Sequence, residues 1–403
     1  MNSGGGQLFP DRRHGGVRVV VTGQVGLDKK PLLERVAAVA AEHGHKVGVA
    51  HVGDRMYAEA PDVAPGRILD LPKRRLDNLR RSVFKDILAL AGQTPHLIVN
   101  THATFRWRHG LFQAYDHDQM RTLDADLYVT LVDSVEAIHE RLLRQHEGIR
   151  HTFKDILVWR EEEIVVTASI ADALRGYGAH YVISTGDFET AALMIYRLMF
   201  ERHRKRVYPS FPMTHVLSMP EALVQIDRFR ATLAEHFITF DPGDLDEKQL
   251  LFDAGAAVQA GRERFTIRVN GRDLQIAAAE VTACAADIDG QIYARDFKLI
   301  DQSDMIVSFI PALTGGRAGL SSGVERELQH AYEAAKEVYV VWQPIDEPSP
   351  FIPATATRIF PGVDELMHFF QQKGYVGDYS PLLPEQARLD EASGESPGEA
   401  IGE

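Results

Sequence analysis

The chain alternates two apolar patterns. Short unbroken runs rich in β-branched residues are followed by longer stretches in which apolar residues recur every three or four positions. "VRVVVTG" (17 to 23), "HKVGVAHVG", "PHLIVNT", "ADLYVTLVD" and "HYVIST" are of the first kind. "PLLERVAAVAAEHG", "LDNLRRSVFKDILALAG", "SVEAIHERLLRQ" and "ETAALMIYRLMFERHRKR" are of the second. Continuous apolar strands separated by amphipathic helices predict a parallel sheet covered on both faces. After residue 204 the pattern restarts, with strands at "VYPSFP", "FITFDP", "DMIVSFIP", "EVYVVWQP" and "ATRIF". Helices are expected at "PEALVQIDRFRATLAEH", which opens on proline, from about Ser322 to Lys336, and at "VDELMHFFQQKGY". In "ERFTIRVNGRDLQIAAAEV" the period drops to two across Asn-Gly, a hairpin signal.

Two α/β domains are therefore expected, each a doubly wound parallel sheet, over residues 17–203 and 204–379. The boundary is placed at the charged stretch "ERHRKR" (201 to 206), and the hairpin region near 251 to 285 is read as an insertion in the second domain. The glycine-rich residues 1–16 and the Pro-, Glu- and Ser-rich residues 380–403 are expected to be disordered.

Composition narrows the partners. A chain of 403 residues accommodates two cores, and its 45% apolar and 25% charged residues are those of a globular protein. A net charge of −13 opposes general nucleic-acid binding, which needs excess Lys and Arg against phosphate. Neither a signal peptide nor an apolar stretch of membrane-spanning length is evident, so a cytoplasmic location is expected. The single cysteine, Cys284, rules out an intrachain disulfide and a cysteine-cluster metal site. With no histidine near it in "EVTACAADIDG", it reads as a core residue.

"GQVGLDKK" (23 to 30) stands between a strand and a helix, where a GxxxxGK[ST] phosphate loop belongs. Gly23, Gly26 and Lys29 are in register, whereas Asp28 replaces the last glycine and Lys30 the hydroxyl residue. Glycines there let backbone N–H groups approach phosphate and the lysine reach its oxygens, while an aspartate repels anions. An ordinary tight turn on a Rossmann-like scaffold fits the same residues. Arg141 and Arg144, three apart on one helix, clamp phosphates or are merely solvated. Through this loop, "HLIVNTHATFRWR", "ERLLRQ" and "WREEEI", residues 17 to 200 resemble archaeal-type adenylate kinases and related P-loop nucleotide kinases. The resemblance implies a pocket for ATP or another nucleotide, with or without Mg²⁺, in which Lys30 also takes part. It departs at Asn100, where many relatives carry an acidic Mg²⁺ residue.

In the second half, Val324, Leu328, Ala331 and Ala335 form a stripe, with Glu327 on its flank near the N-terminal turn of the helix. "GLSSG" before it offers free N–H groups to an anion; an N-cap serine followed by a solvated glutamate is the plainer reading. "VYPSFPMTH", "IYARDFKLIDQSDMIV" and "GLSSGVERELQHAYEAAKEVYVV" resemble, over about 204 to 375, the nucleoside 2-deoxyribosyltransferases and their relatives, the 2′-deoxynucleoside 5′-phosphate N-hydrolases. That resemblance implies Glu327 as nucleophile, Asp296 as the acid near base and sugar, and Ser321 with Gly323 at a 5′-phosphate. It also places Tyr208, Ser210, Thr214 and His215 near the sugar, requires no metal or cofactor, and implies a homodimer or larger assembly.

The expected fold class is thus a P-loop NTPase-like domain followed by a flavodoxin- or Rossmann-like deoxyribosyltransferase domain. The expected reaction is hydrolysis of a nucleotide N-glycosidic bond with release of free base. An active nucleoside or nucleotide kinase, and a nucleotide sensor without turnover, are the alternatives.

Overall fold

A computed structural model describes residues 15–146, 150–213, 216, 219–313 and 315–379. Thr214, His215 and the tail from 380 lie outside the described residues, as do residues 1–14. The expected N-terminal disorder ran through residue 16, but Gly16 is buried, and a Cβ there would stand 1.8 Å from the Pro95 carbonyl oxygen. Close backbone packing fixes that residue.

Contacts divide the chain into two units, unit 1 being Met1–His203 with Phe240–Asp304, and unit 2 being Arg204–Thr239 with Met305–Glu403. One cut falls at the expected boundary. The segment Phe240–Asp304, expected in the second domain, instead groups with unit 1.

Unit 1 is built on a parallel sheet of β1 (Arg18–Thr22), β2 (Val47–His51), β3 (His96–Asn100), β6 (Leu127–Val132) and β7 (His180–Ser184), in the order β2-β3-β1-β6-β7. A hairpin of β4 (Thr104–Trp107) and β5 (Gly110–Gln113), which the apolar pattern does not announce, follows β3. The helices are α1 (Lys29–Glu42), α2 (Val52–Glu59), α3 (Lys73–Ala91), α4 (His117–Leu123), α5 (Val135–Gln145), α6 (Phe153–Arg175) and α7 (Phe188–Phe200). β1 and β6 are buried throughout apart from half-buried Arg18, as continuous apolar runs require. Because the chain crosses from β3 over β1 to β6, the sheet switches direction at β1. In such sheets ligands lie beyond the carboxyl ends of the strands at the switch.

The segment that joins unit 1 by contact holds α9 (Lys248–Gln259), the hairpin β10 (Arg264–Val269) with β11 (Arg272–Ala277), α10 (Ala278–Ala283) and α11 (Ala285–Asp301). Asn270 and Gly271 turn the hairpin with φ of 49° and 74°, the two left-handed positions that an Asn-Gly turn supplies. Leu250, Ala254, Phe265, Ile276 and Ile288 share one core with Ile138 and Leu142 of α5 and Ile156 of α6. Buried Arg160 of α6 makes a bidentate pair with buried Glu247 at 2.8 and 3.0 Å. These contacts explain the regrouping. They link residues about a hundred positions apart, beyond any local periodicity.

Unit 2 has a parallel sheet of β8 (Arg206–Ser210), β9 (Ile238–Thr239), β12 (Met305–Ile310), β13 (Glu337–Trp342) and β14 (Arg358–Phe360). Its order, β14-β13-β12-β8-β9, is the doubly wound order 2-1-3-4-5 when read from the other edge. The strand expected at "FITFDP" is cut to Ile238–Thr239, because Asp241 caps Gly243 and Pro242 opens a 3₁₀ turn. Its helices are α8 (Pro220–His236), α12 (Ser322–Glu333), α13 (Phe351–Thr355) and α14 (Val363–Gln372). α8 and α14 bury Phe229, Leu233, Leu366 and Phe370 against Val207, Val307, Phe309 and Tyr339 of the strands. In both units, among the described residues, no helix is long and apolar enough to cross a membrane.

Candidate functional site

β1 ends at Thr22 and α1 begins at Lys29, so Gly23 to Asp28 form the loop at the switch point. Gly23 and Gly26 have φ of 138° and 94°, the region that favours glycine. A Cβ on Gly26 would lie 3.2 Å from both Ile138 and Leu142, so α5 packs directly on the loop.

Lys29 is buried. Its Nζ donates to the carbonyls of Gly23 at 2.9 Å and Thr101 at 2.6 Å, and stands 3.4 Å from His102 Nδ1. Burial pulls the ammonium down to about 7, with the Glu163 carboxylate opposing. His102 is likewise held well below its ordinary value by burial.

Glu163 sits under the same loop and was not among the expected site residues. Its carboxylate accepts from the amides of Gly23 at 3.3 Å, Ala103 at 3.0 Å and Thr104 at 3.1 Å. Burial raises this carboxyl, against the Lys29 charge and the amide donors. It comes from the run Glu161–Glu163, where composition marks none of the three. Helical spacing does mark it: Trp159, Thr167 and Ile170 are buried on the same helix, at i−4, i+4 and i+7 from it.

The other expected loop residues divide clearly. Arg141 is on the loop: Nε pairs with Asp28 at 3.2 Å, while Nη1 donates to Asp133 at 2.7 Å and to the Gly26 carbonyl at 3.3 Å. The acid that breaks the glycine pattern is thereby neutralised within the protein. Arg144 pairs with Glu140 at 3.4 Å, on the partly solvated side of α5. Lys30 pairs with Asp54 at 2.7 Å on the surface, and Asn100 bonds His51 at 2.9 Å. A P-loop Mg²⁺ site takes a Ser or Thr hydroxyl after the lysine and an acid from a strand end. With lysine and asparagine there, these two positions do not fit a resident metal. Among the described residues no cluster of three His, Cys, Asp or Glu is placed to hold one.

A cavity in unit 1, about 300 Å³, is lined by Gly66, Arg67, Asp70, Trp107, Arg144 and His146 among others. Asp70 ties its wall together, pairing with Arg67 at 2.7 Å and accepting from the Trp107 indole at 3.0 Å.

In unit 2 the sheet face carrying Tyr208 and Ser210 meets α12. Glu327 is half-buried there, and Ser210 Oγ donates to its Oε2 at 2.6 Å. Ser308 Oγ donates in turn to Ser210 at 3.4 Å. Burial raises the Glu327 carboxyl, and the hydroxyls of Ser210 and Tyr208 oppose that rise. The structure therefore brings Glu327, Tyr208 and Ser210 together. Ser321 is the N-cap of α12, its Oγ accepting from the Val324 amide at 3.3 Å, and Gly323 is exposed in the first turn.

Val324, Leu328 and Ala331 form the buried stripe of α12, but Ala335 is exposed. The helix stops at Glu333, and Ala335 takes φ of 55°, which turns it away from the stripe. Asp296 lies within α11 of unit 1, whereas Glu327 belongs to unit 2.

Residues 22–156 match a family model described as an AAA domain. The adenylate kinase of Pyrococcus abyssi is 26% identical over 164 residues, covering 39% of this chain and 80% of that protein. The adenylate kinase of Pyrococcus furiosus matches to the same extent. Among solved structures, shikimate kinase from Bacteroides thetaiotaomicron is 14% identical, with a TM-score of 0.30, covering 45% of this chain and 97% of its own. That from Acinetobacter baumannii is 13% identical, with a TM-score of 0.31, 47% of this chain and 96% of its own. By the family model and the two adenylate kinases, unit 1 contains a kinase-like P-loop domain. The family model ends at residue 156 and leaves unit 2 untouched.

Proposed function

We propose that unit 1 binds the phosphates of a nucleoside triphosphate at Gly23–Lys30 and acts as a nucleoside or nucleotide kinase. The observation that carries this reading is Lys29, buried at the start of α1 beyond the carboxyl ends of β1 and β3, with its ammonium bonded to carbonyls and a histidine edge. A polyphosphate would bond this lysine directly, where Glu163 acts on it through charge alone, and the α1 N-terminus would add N–H donors. The arginine-lined cavity beside Trp107 is of a size and charge to take a phosphate acceptor. Lys30 and Asn100 disfavour a resident metal, so slow turnover is expected. Incubation with γ-labelled Mg·ATP and a panel of nucleosides and nucleotides tests the reading: transfer should be lost in Lys29→Met and kept in Glu327→Ala. No transfer and no nucleotide binding by the wild type would end it.

A second reading concerns unit 2, which has the flavodoxin-like strand order. The observation that favours it is Glu327, a carboxyl withdrawn from water with Ser210 Oγ at 2.6 Å. Two hydroxyl donors oppose the rise that burial imposes and aim the carboxylate, as attack on a sugar C1′ requires. The base would leave with a proton from solvent, and water would then release the sugar from Glu327. Ser321 and Gly323 would face a 5′-phosphate, and a homodimer belongs to this reading by resemblance. Free base detected by chromatography, lost in Glu327→Ala and kept in Lys29→Met, is its test.

A further inference from the structure

The phosphate loop is braced by a part of the chain that lies outside the kinase-like match. At the tip of the β10–β11 hairpin, Asn270 Oδ1 accepts from Arg141 Nη2 at 3.1 Å. Its Nδ2 donates to the Ala137 carbonyl at 3.2 Å and to Glu140 Oε2 at 3.0 Å. The same Arg141 holds Asp28 and the Gly26 carbonyl of the loop, anchored from behind by Asp133. Beneath these bonds, Val25 and Leu27 of the loop pack against the core that contains hairpin residues Phe265 and Ile276 and α5 residues Ile138 and Leu142. The loop is thus gripped twice, by apolar packing and by one arginine that the hairpin tip orients.

From this we infer that the hairpin Arg264–Ala277 is a built-in strap on the nucleotide site, and that Asn270 is the residue that positions Arg141 over the phosphate loop. The inference rests on the nucleotide-binding reading of unit 1 and adds a control element to it. Arg141 offers its guanidinium to Asp28 at rest. A polyphosphate entering the loop would compete with Asp28 for that guanidinium, while Asn270 and Asp133 keep it at the loop's edge. Asn270 takes no part in chemistry, and acts only through Arg141.

Asn270→Gly is the decisive variant, because a Gly-Gly pair sustains the same two-residue turn and deletes only the side chain. Two readouts in the full-length chain separate strap from scaffold: amide hydrogen exchange of residues 23–30 without nucleotide, and Mg·ATP affinity by calorimetry. Exchange at the loop should rise about fivefold or more, and affinity should fall roughly 3- to 10-fold, the weight of one ordinary hydrogen bond felt through Arg141. Asn270→Asp sets a carboxylate against Glu140 and should loosen the loop as well. Adding Glu140→Gln returns a donor opposite that carboxylate and should restore both readouts. Loop exchange within twofold of wild type in Asn270→Gly, or no recovery in the paired variant, overturns the strap. If wild type binds no Mg·ATP, the nucleotide reading fails, and loop exchange still decides whether the hairpin braces the loop.

Discussion

Glu163 in unit 1 and Glu327 in unit 2 are both carboxyls that burial pushes upward, yet their surroundings differ in kind. Glu163 is held by three backbone amides, with the Thr104 hydroxyl adding a longer bond at 3.4 Å, and faces the Lys29 charge, so its oxygens are committed chiefly to joining β1, the β3–β4 turn and α6. Glu327 is held by hydroxyls, with one bond from Ser210 to a single oxygen. Backbone donors cannot be redirected without moving the fold, whereas hydroxyls rotate. The first arrangement suits a structural anchor beneath a binding loop, and the second suits a reactive group.

The comparison breaks most sharply at these two residues. Under the unit 2 reading, Glu327→Ala should reduce base release by about a thousandfold or more, the scale for losing a nucleophile, with thermal stability nearly unchanged. If stability collapses instead, Glu327 is an anchor like Glu163. Glu163→Ala should behave in the opposite way, destabilising the protein by about 3 kcal/mol in urea titration, because three amides and a buried lysine lose their partner. A small loss there would mean that water replaces the carboxylate and that the loop is not anchored as described.

Lys29→Met sharpens the contrast from the other side. It should weaken Mg·ATP binding roughly a hundredfold by calorimetry, without the large stability loss of Glu163→Ala, since it removes a buried charge that the fold holds at a cost.

Sequence reasoning reached some of this and missed some, for physical reasons. The runs that became β1, β3, β6, β12 and β13 are apolar throughout because both faces of a parallel strand are covered. The Asn-Gly pair was readable because few residues accept two successive positive φ values. The allegiance of residues 240–304 was not readable, since it rests on Arg160 with Glu247 and on a core shared with α5. The placing of Gly23, Gly26 and Lys29 in the strand-to-helix loop, and of Glu327 on the flank of the α12 stripe, was legible from loop register and helical spacing. Glu163 could have been found by applying the same spacing to Trp159 and Thr167. The pairing of Asp28 with Arg141 spans more than a hundred residues and leaves no local trace.

Acidity offers a gentler probe of the same difference. The Lys29 ammonium titrates near 7 in the folded chain and near 10.5 when unfolded, so between these values the unfolded chain binds more protons. Its contribution therefore raises stability as pH climbs through that window. Nucleotide binding runs the other way, because phosphate favours the charged lysine and its capture takes up a proton above pH 7. The Mg·ATP dissociation constant should rise up to about tenfold per pH unit above 7, and calorimetry in buffers of different ionisation enthalpy should report proton uptake. Lys29→Arg, charged throughout, should flatten the profile. A wild-type constant that is flat between pH 7 and 9 would show that Lys29 keeps one protonation state.

The smallest effect lies at the end of the helix that carries Glu327. Ala335 takes φ of 55°, in the left-handed region where an L-residue's Cβ crowds the following carbonyl. It is exposed, so its methyl gains little from packing in return. Ala335→Gly should therefore stabilise the chain by about 0.5 to 1 kcal/mol, the balance of relieved strain against the greater freedom of glycine when unfolded. Leu328 and Ala331 stay buried in the variant, so Glu327 should keep its place and base release should not change. A loss of base release in Ala335→Gly would tie the reactivity of Glu327 to the way α12 ends, making the unit 2 site as dependent on backbone as the Glu163 anchor.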